Sequence, residues 1–327
     1  MARPRYARPV VTRSEIVLEM GEYLAAHGEW PLQQAKVIMR PQGGEGGTVT
    51  LFGCDSHEVI ELVARGEVQL AIVNPSAALA MAARGAGPFK QPVDVRALAV
   101  IPSLDSYVFT VSDKTGLTSL ADVAAKKYPL KVSLRGQRDH PVHLLESVVL
   151  AEYGCSFENI TAWGGEVRFD PGLPMGGSTS GVDPEVARID LLRNGTVDAL
   201  FDEAIGSWLD TALAAGFHVL PIEEDMMRKF ETMGFRRSML RKENFPHLSA
   251  DTQTFDFSGW PIYTHSSVPD ETVRWFCEAL EARKDRMPWQ GEGPLPLERM
   301  CKDSPAGPLD VPLHPAAERF WRERGYL

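Results

Sequence analysis

Cysteine is scarce in this 327-residue chain, and the four that occur, Cys54, Cys155, Cys277 and Cys301, are scattered. No two have the spacing of a metal site, and nothing in their placement suggests a disulfide framework, so four reduced, buried thiols are expected. Long apolar runs are missing as well: none approaches the roughly 18 residues that a membrane-spanning helix needs. Positive charge is in the minority, 34 Lys and Arg against 44 Asp and Glu, for a formal net charge of −10. That balance argues against a nucleic-acid partner, whose phosphates select for basic surfaces. It leaves room for a small anionic ligand, because a local pair of arginines outweighs a diffuse acidic field. Catalytic signatures are absent too: there is no HExxH, no G-x-S-x-G and no Cys-His nucleophile pattern. The N-terminus carries Arg3, Arg5 and Arg8 with no apolar segment behind them, so no secretory signal stands in the chain as written.

What is present is an alternation of short apolar runs and amphipathic stretches. The length suits about two domains with an ample core, and the composition is that of an ordinary globular protein. After an irregular arm over residues 1–12, Ser14 opens an amphipathic helix that ends near Gly28, with Ile16, Val17, Met20, Tyr23 and Leu24 on one face. Strands are expected over 35–39, 68–73, 95–100 and 108–111, with helices over 56–65 and 76–84 between them. This alternation predicts a parallel sheet covered on both faces. The polar stretch 103–107 marks a first crossing between domains, and FDFSGWPIYT, residues 255–264, the return. Further strands are expected over 130–134, 159–163, 197–201 and 218–222, and further helices over 186–192, 205–215, 224–233 and 269–283. Residues 164–181, rich in glycine and proline, are expected to form a surface loop or flap. A last amphipathic helix, with Pro315 in its first turn, closes the chain.

Residues 130–154, LKVSLRGQRDHPVHLLESVVLAEYG, carry the most chemistry. A strand feeds a polar loop, then a helix with Asp139 or His140 as N-cap, Pro141 in its first turn, Leu144, Leu145, Val148, Val149 and Ala151 as its apolar face, and Gly154 as its stop. Arg135 and Arg138 beside exposed helix N–H groups suit a small anion such as a carboxylate. The plainer reading makes both arginines solvated loop residues paired with Asp139 or Glu146. Arg135 is the candidate clamp, because a guanidinium holds a carboxylate with two hydrogen bonds. Gln137, Asn74 and Ser76 are placed to orient a ligand by neutral hydrogen bonds. Gln42, Gly43, Gly44 and Thr48, in the loop RPQGGEGGT, form a ligand-facing loop beyond a strand's carboxyl end, or else a plain turn; the loop lacks the Lys-Ser/Thr of a phosphate cradle. Asp202 and Glu203 end a strand, where they either receive an ammonium group or cap the next helix. Trp163 would stack on a ligand or, more in keeping with a lone tryptophan, join the core. His140 and His143 share a helix face, but no third ligand accompanies them, so no metal and no cofactor is expected. Arg236, Arg237, Arg241 and Lys242 read as solvated surface. Cys54, Asp55 and His57 are the nearest approach to a nucleophile with a base.

Four stretches together resemble a known family: RGEVQLAIVNPSAALAMAARG (65–85), TGLTSLADV with the following KVSLRGQ (115–137), NGTVDALFDEAI (194–205) and PLHPAAERFWRERG (312–325). They resemble the TAXI family of solute receptors for TRAP-type transporters. The resemblance implies an α/β protein with a two-lobed type II periplasmic-binding-protein-like fold, each lobe a mainly parallel sheet flanked by helices and joined to the other by hinge strands. Residues 1–105 and 256–327, with the extra helix 14–28, would form lobe 1 and residues 106–255 lobe 2. A small organic anion, a carboxylate or an amino acid, would be captured in the cleft by lobe closure without catalysis. TRAP-transporter membrane subunits are the implied partner. The family points to the periplasm, while the absent signal leaves the cytoplasm open. A cytoplasmic ligand sensor and an enzyme on the same two-lobed fold are the competing readings.

Overall fold

The structure, a computed structural model, describes residues 13–27, 34–40, 47–54, 56–170, 184–203 and 208–327. The chain opens with α1 (Arg13–His27), β1 (Ala35–Met39), β2 (Val49–Gly53), α2 (Glu58–Ala64), β3 (Leu70–Ile72), α3 (Ser76–Arg84) and β4 (Val95–Ile101). It passes through 102–106 to β5 (Tyr107–Ser112), α4 (Leu120–Ala125), β6 (Lys131–Arg135), α5 (Pro141–Glu152), α6 (Phe157–Ala162), β7 (Glu166–Asp170), α7 (Pro184–Arg193), β8 (Ala199–Glu203), α8 (Trp208–Ala214), β9 (Phe217–Val219) and α9 (Glu224–Met233). A hairpin of β10 (Arg236–Leu240) and β11 (Thr252–Asp256) precedes the return through 257–259 to β12 (Trp260–His265), α10 (Asp270–Arg283), α11 (Leu297–Met300) and α12 (Pro315–Glu323).

The result is a two-lobed α/β protein. One five-stranded sheet has the order β1-β2-β3-β12-β4 and the other β7-β6-β8-β5-β9. In each, the strand delivered by a crossing runs against its neighbours: β5 is antiparallel to β8 and β9, and β12 to β3 and β4. Both sheets are therefore mixed rather than uniformly parallel. The reason is geometric. The other strands flanking them end where the lobes meet, so a chain arriving from the opposite lobe starts its strand there and runs away.

Three local expectations need correction. No strand is expected over 49–53, yet β2 forms there and pairs antiparallel with β1, Ala35 opposite Gly53 and Met39 opposite Val49, because the connection over 40–48 is too short for a parallel crossover of a dozen or more residues. Residues 159–163 lie in and beside helix α6 rather than in a strand. Ser156 accepts the Asn159 N–H through its side chain at 3.1 Å, and this cap outweighs the β-branched pair Ile160 and Thr161. The missing strand is β7, inside the segment expected to be a loop, where it pairs in parallel with β6. Residues 171–181 of that segment, the arm over 1–12 and the start of the helix expected over 205–215 lie outside the described residues. On α5, Leu145, Val148 and Val149 are buried as expected, but Ala151 faces solvent. On α1, Ile16, Val17, Met20, Tyr23 and Leu24 are exposed. Among the described residues no helix is long and apolar enough to cross a membrane.

The largest hydrophobic cluster belongs to both lobes: Ala71, Leu79 and Met81 share it with Phe109, Leu145 and Val149. A second cluster sits under the first sheet, with Phe276, Phe320 and Trp321 from α10 and α12, and a third joins Val108 and Leu200 to Trp208 and Leu209 on α8. The helix α3 is pressed against the second lobe so closely that only glycine fits at its contact. Gly234, just after α9, has φ of 116°, and a Cβ there would stand 2.8 Å from the Met81 nitrogen. Gly234→Ala is expected to lower stability by about 1–3 kcal/mol, through a left-handed backbone angle and an over-packed contact together. Urea unfolding checks this, and a midpoint equal to wild type would show that the two surfaces do not meet there.

Candidate functional site

The sequence places its chemistry where strands stop. β6 buries Val132, Ser133 and Leu134 and ends on Arg135, whose side chain is 11% exposed. The following turn leads into α5, with His140 as N-cap and Pro141, whose missing N–H costs nothing at this position, in the first turn. β8, buried throughout, ends on Asp202 and Glu203. Asn74 follows β3 in the other lobe and is joined to Pro75 by a cis peptide bond.

These strand ends converge on a buried ion network. Arg135 donates through Nε to Asp202 Oδ1 at 3.0 Å and through Nη2 to Glu203 Oε2 at 2.7 Å. Arg188, on α7, donates through Nη1 to Asp202 Oδ2, through Nε to Ser133 Oγ at 3.1 Å, and through Nη2 to the carbonyls of Ser133 and Phe201 at 2.9 Å each. Ser133 Oγ in turn donates to Asp170 Oδ2 at 2.6 Å. Burial alone would raise the Asp202 carboxyl, but the Arg135 and Arg188 guanidiniums outweigh it and hold Asp202 below the usual carboxylate range. Glu203 goes the other way: burial and the Asp202 charge lift it, against the pull of Arg135. Burial pushes both α5 histidines down, His143 to about 4, so both are neutral at pH 7. His143 donates from Nε2 to the Arg135 carbonyl at 2.9 Å, while His140 lies 3.2 Å from Arg135 Nη1.

Beside the network a cavity of about 440 Å³ opens between the lobes. Gly53, Cys54, Ile72, Val73 and Asn74 line it from the first sheet, Gln137 and His140 from the second, with Ala35, Trp260 and Pro288 at its sides. The wall is mostly apolar, with two amides and an imidazole as its polar side chains. Such a space suits a small organic molecule.

The structure brings together some of the residues singled out in the sequence and separates others. Asn74 and Gln137 face the same cavity from opposite lobes. Arg135, Asp202 and Glu203 meet one another rather than standing apart as a clamp and an ammonium receptor, because buried guanidiniums need carboxylates. Ser76 is spent on the second crossing, where its hydroxyl donates to the Gly259 carbonyl at 3.0 Å. Arg138 turns to another surface and lies 3.9 Å over the Phe169 ring. Thr48 is exposed and does not line the cavity. Gln42, Gly43, Gly44 and Asp55 lie outside the described residues. Trp163 packs half-buried against the core. Of the basic cluster, Arg236 bridges to Asp303 and Asp310 near the C-terminus, while Arg237 pairs with Glu224 and Arg241 with Asp251. Among the described residues no group of three or more side chains could hold a metal ion. Sequence reasoning missed Arg188, Asp105, Trp260 and Pro288. Only Arg188 left a signal: it stands four residues before Leu192, on the inward stripe of its helix.

Asp202→Asn would leave two buried guanidiniums without their shared carboxylate, and a loss of about 3–5 kcal/mol is expected at neutral pH. The depressed Asp202 contributes stability that is present above its unfolded value and lost as pH falls through its folded value. The gap between wild type and variant should therefore close as the pH drops below about 4. Urea titrations at several pH values measure it, and a gap that is small or independent of pH would contradict the network.

No family model matches the chain, and no curated protein matches it. Solved structures with a similar course do exist. One is a protein of Xanthomonas citri bound to a chloride ion, at 12% identity and a TM-score of 0.35, covering 82% of this chain and 80% of that one. Another is the alkanesulfonate-binding protein SsuA of Xanthomonas axonopodis pv. citri bound to MOPS, at 11% identity, 0.28, and 70% and 80% coverage. A third is an ancestral arginine-binding protein bound to arginine, at 14% identity, 0.29, and 71% and 73% coverage.

Proposed function

We propose that the protein is a solute receptor that holds a small organic anion, a carboxylate or an amino acid, in the cavity between its lobes, and delivers it to a TRAP-type transporter as TAXI receptors do. Residues 1–105 and 256–327 form lobe 1 in this reading and residues 106–255 lobe 2. The observation that carries it is the cavity itself: Asn74 from one lobe and Gln137 from the other face a single space at the ends of the strands. A ligand touching both would favour the closed arrangement, which is how binding is turned into a signal. Its apolar part would lie against Val73, Trp260 and Pro288. Its carboxylate would sit at the amides and His140, whose ring lies 3.2 Å from the Arg135 guanidinium. The transporter type rests on the four sequence stretches that resemble the TAXI family.

Binding without turnover is the reading the cavity favours. Cys54, on the cavity wall, donates its thiol to the Ser56 carbonyl at 3.8 Å. His140 turns Nδ1 to the Val142 N–H at 3.3 Å and Nε2 to Arg135 Nη1 at 3.2 Å, two donors of which a neutral ring accepts from one at a time, so neither ring nitrogen is directed at that thiol as a base.

A thermal-shift screen against mono- and dicarboxylates, amino acids and aromatic acids tests the reading. A ligand at about 100 times its dissociation constant should stabilise the fold by roughly 2.7 kcal/mol. Asn74→Ala and Gln137→Ala are each expected to weaken binding by about 0.5–1.5 kcal/mol. A hit that is recovered chemically changed would point to an enzyme. Affinities that both variants leave untouched would place the ligand elsewhere.

A further inference from the structure

The wall of the cavity between the lobes has few polar groups to give a ligand. Among the described residues its polar side chains are Asn74, Gln137 and His140, and none of them is charged: no Asp, Glu, Lys or Arg belongs to the wall, and His140 is neutral. The backbone of the wall is largely taken up by the sheet. Ala35 pairs with Gly53, Ile72 with Ile262 and Trp260 with Ile101, and the Val73 N–H donates to the Pro261 carbonyl at 3.3 Å. Pro288 has no N–H to give. What remains is carbon surface, supplied chiefly by Ile72, Val73, Trp260 and Pro288.

The ion network that His140 touches lends no charge to this wall. Arg135 is held by Asp202 and Glu203, and Arg188 by Asp202, so two guanidiniums face two carboxyls and the network is balanced within itself. None of the four lines the cavity. A carboxylate accepts hydrogen bonds on both oxygens, and an ammonium donates through every N–H bond it has. Two carboxamides and one imidazole serve one such group, and the amide N–H donors suit a carboxylate. They do not serve a second charged group as well, and a charge buried without partners is costly.

We propose that the ligand of this cavity is a monocarboxylate with a compact apolar body, and that amino acids and dicarboxylates are rejected because their second charge finds no partner. The inference rests on the receptor reading above and deepens it. The carboxylate takes the amide N–H groups of Asn74 and Gln137, one from each lobe, and the body takes the carbon surface. At about 440 Å³ the cavity lies towards the small end of ligand sites, which suits a body of one ring. Trp260, at the start of β12, is the side chain that selects an aromatic body, through contact between rings.

Matched pairs of ligands isolate the second charge. Titration calorimetry on the full chain at neutral pH compares 3-phenylpropionate with L-phenylalanine, which adds an ammonium to the same skeleton, and hexanoate with adipate, which adds a carboxylate. The first member of each pair should bind at least about tenfold more tightly than the second. Trp260→Leu should weaken 3-phenylpropionate by about 2- to 10-fold and hexanoate by less. If that variant does not fold, the wild-type pairs carry the test. Equal or tighter binding of L-phenylalanine or adipate overturns the inference and leaves the receptor reading intact. A Trp260→Leu variant that binds 3-phenylpropionate as wild type does overturns the role given to Trp260. Failure of all four compounds to bind removes the carboxylate reading and this inference with it.

Discussion

The contact on which the site depends is the one between Arg135, Asp202 and Arg188. Guanidiniums are not left unpaired inside proteins, because an isolated buried charge costs several kcal/mol or more. Here one carboxylate serves two of them, and that sharing fixes the ends of β6 and β8 relative to α7. Everything that faces the cavity from the second lobe hangs from this fixture. Arg135 uses its carbonyl to hold His143 and its guanidinium to meet His140, so the first turn of α5 and the Gln137 turn before it inherit their positions from an ion pair.

The two crossings explain why that fixture stands at a junction between lobes. A chain that leaves β4 at the meeting of the lobes must begin β5 at the same place, and so must β12 on the way back. Each crossing strand therefore starts beside the strand ends that carry chemistry: Tyr107 is opposite Glu203, and Trp260 is opposite Ile101. Apolar packing then draws the lobes together along α3, whose buried alanines allow close approach to α5 and α9. Polar chemistry and the apolar seam thus lie side by side, and a change in one is felt in the other.

Much of this was legible in the sequence wherever a local signal and the tertiary fold agreed. The helix over 224–233 and the one opened by Pro141 were readable because their apolar spacing, caps and stops all point the same way. The segment 156–170 was misread because its cues conflict. Ile160 and Thr161 suggest a strand, the Ser156 cap dictates a helix, and the true strand hides among glycines that look like loop. The hairpin of β1 and β2 was missed for another reason: VTLFG, residues 49–53, follows directly on the glycine-rich run and was not read as a strand, and once it forms, the short connection forbids the parallel alternative.

By itself the sequence determined the α/β class, the succession of most elements and the candidate polar residues at strand ends, since these follow from periodicity and from where charged residues interrupt apolar runs. Only the tertiary structure decided how those residues are used. Whether Asp202 meets a ligand or an arginine, whether Ser76 faces a cavity or a crossing, and whether Gln137 and Asn74 see the same space depend on contacts between segments far apart in the chain. A side chain's partner is set by that distant packing, which local pattern does not encode.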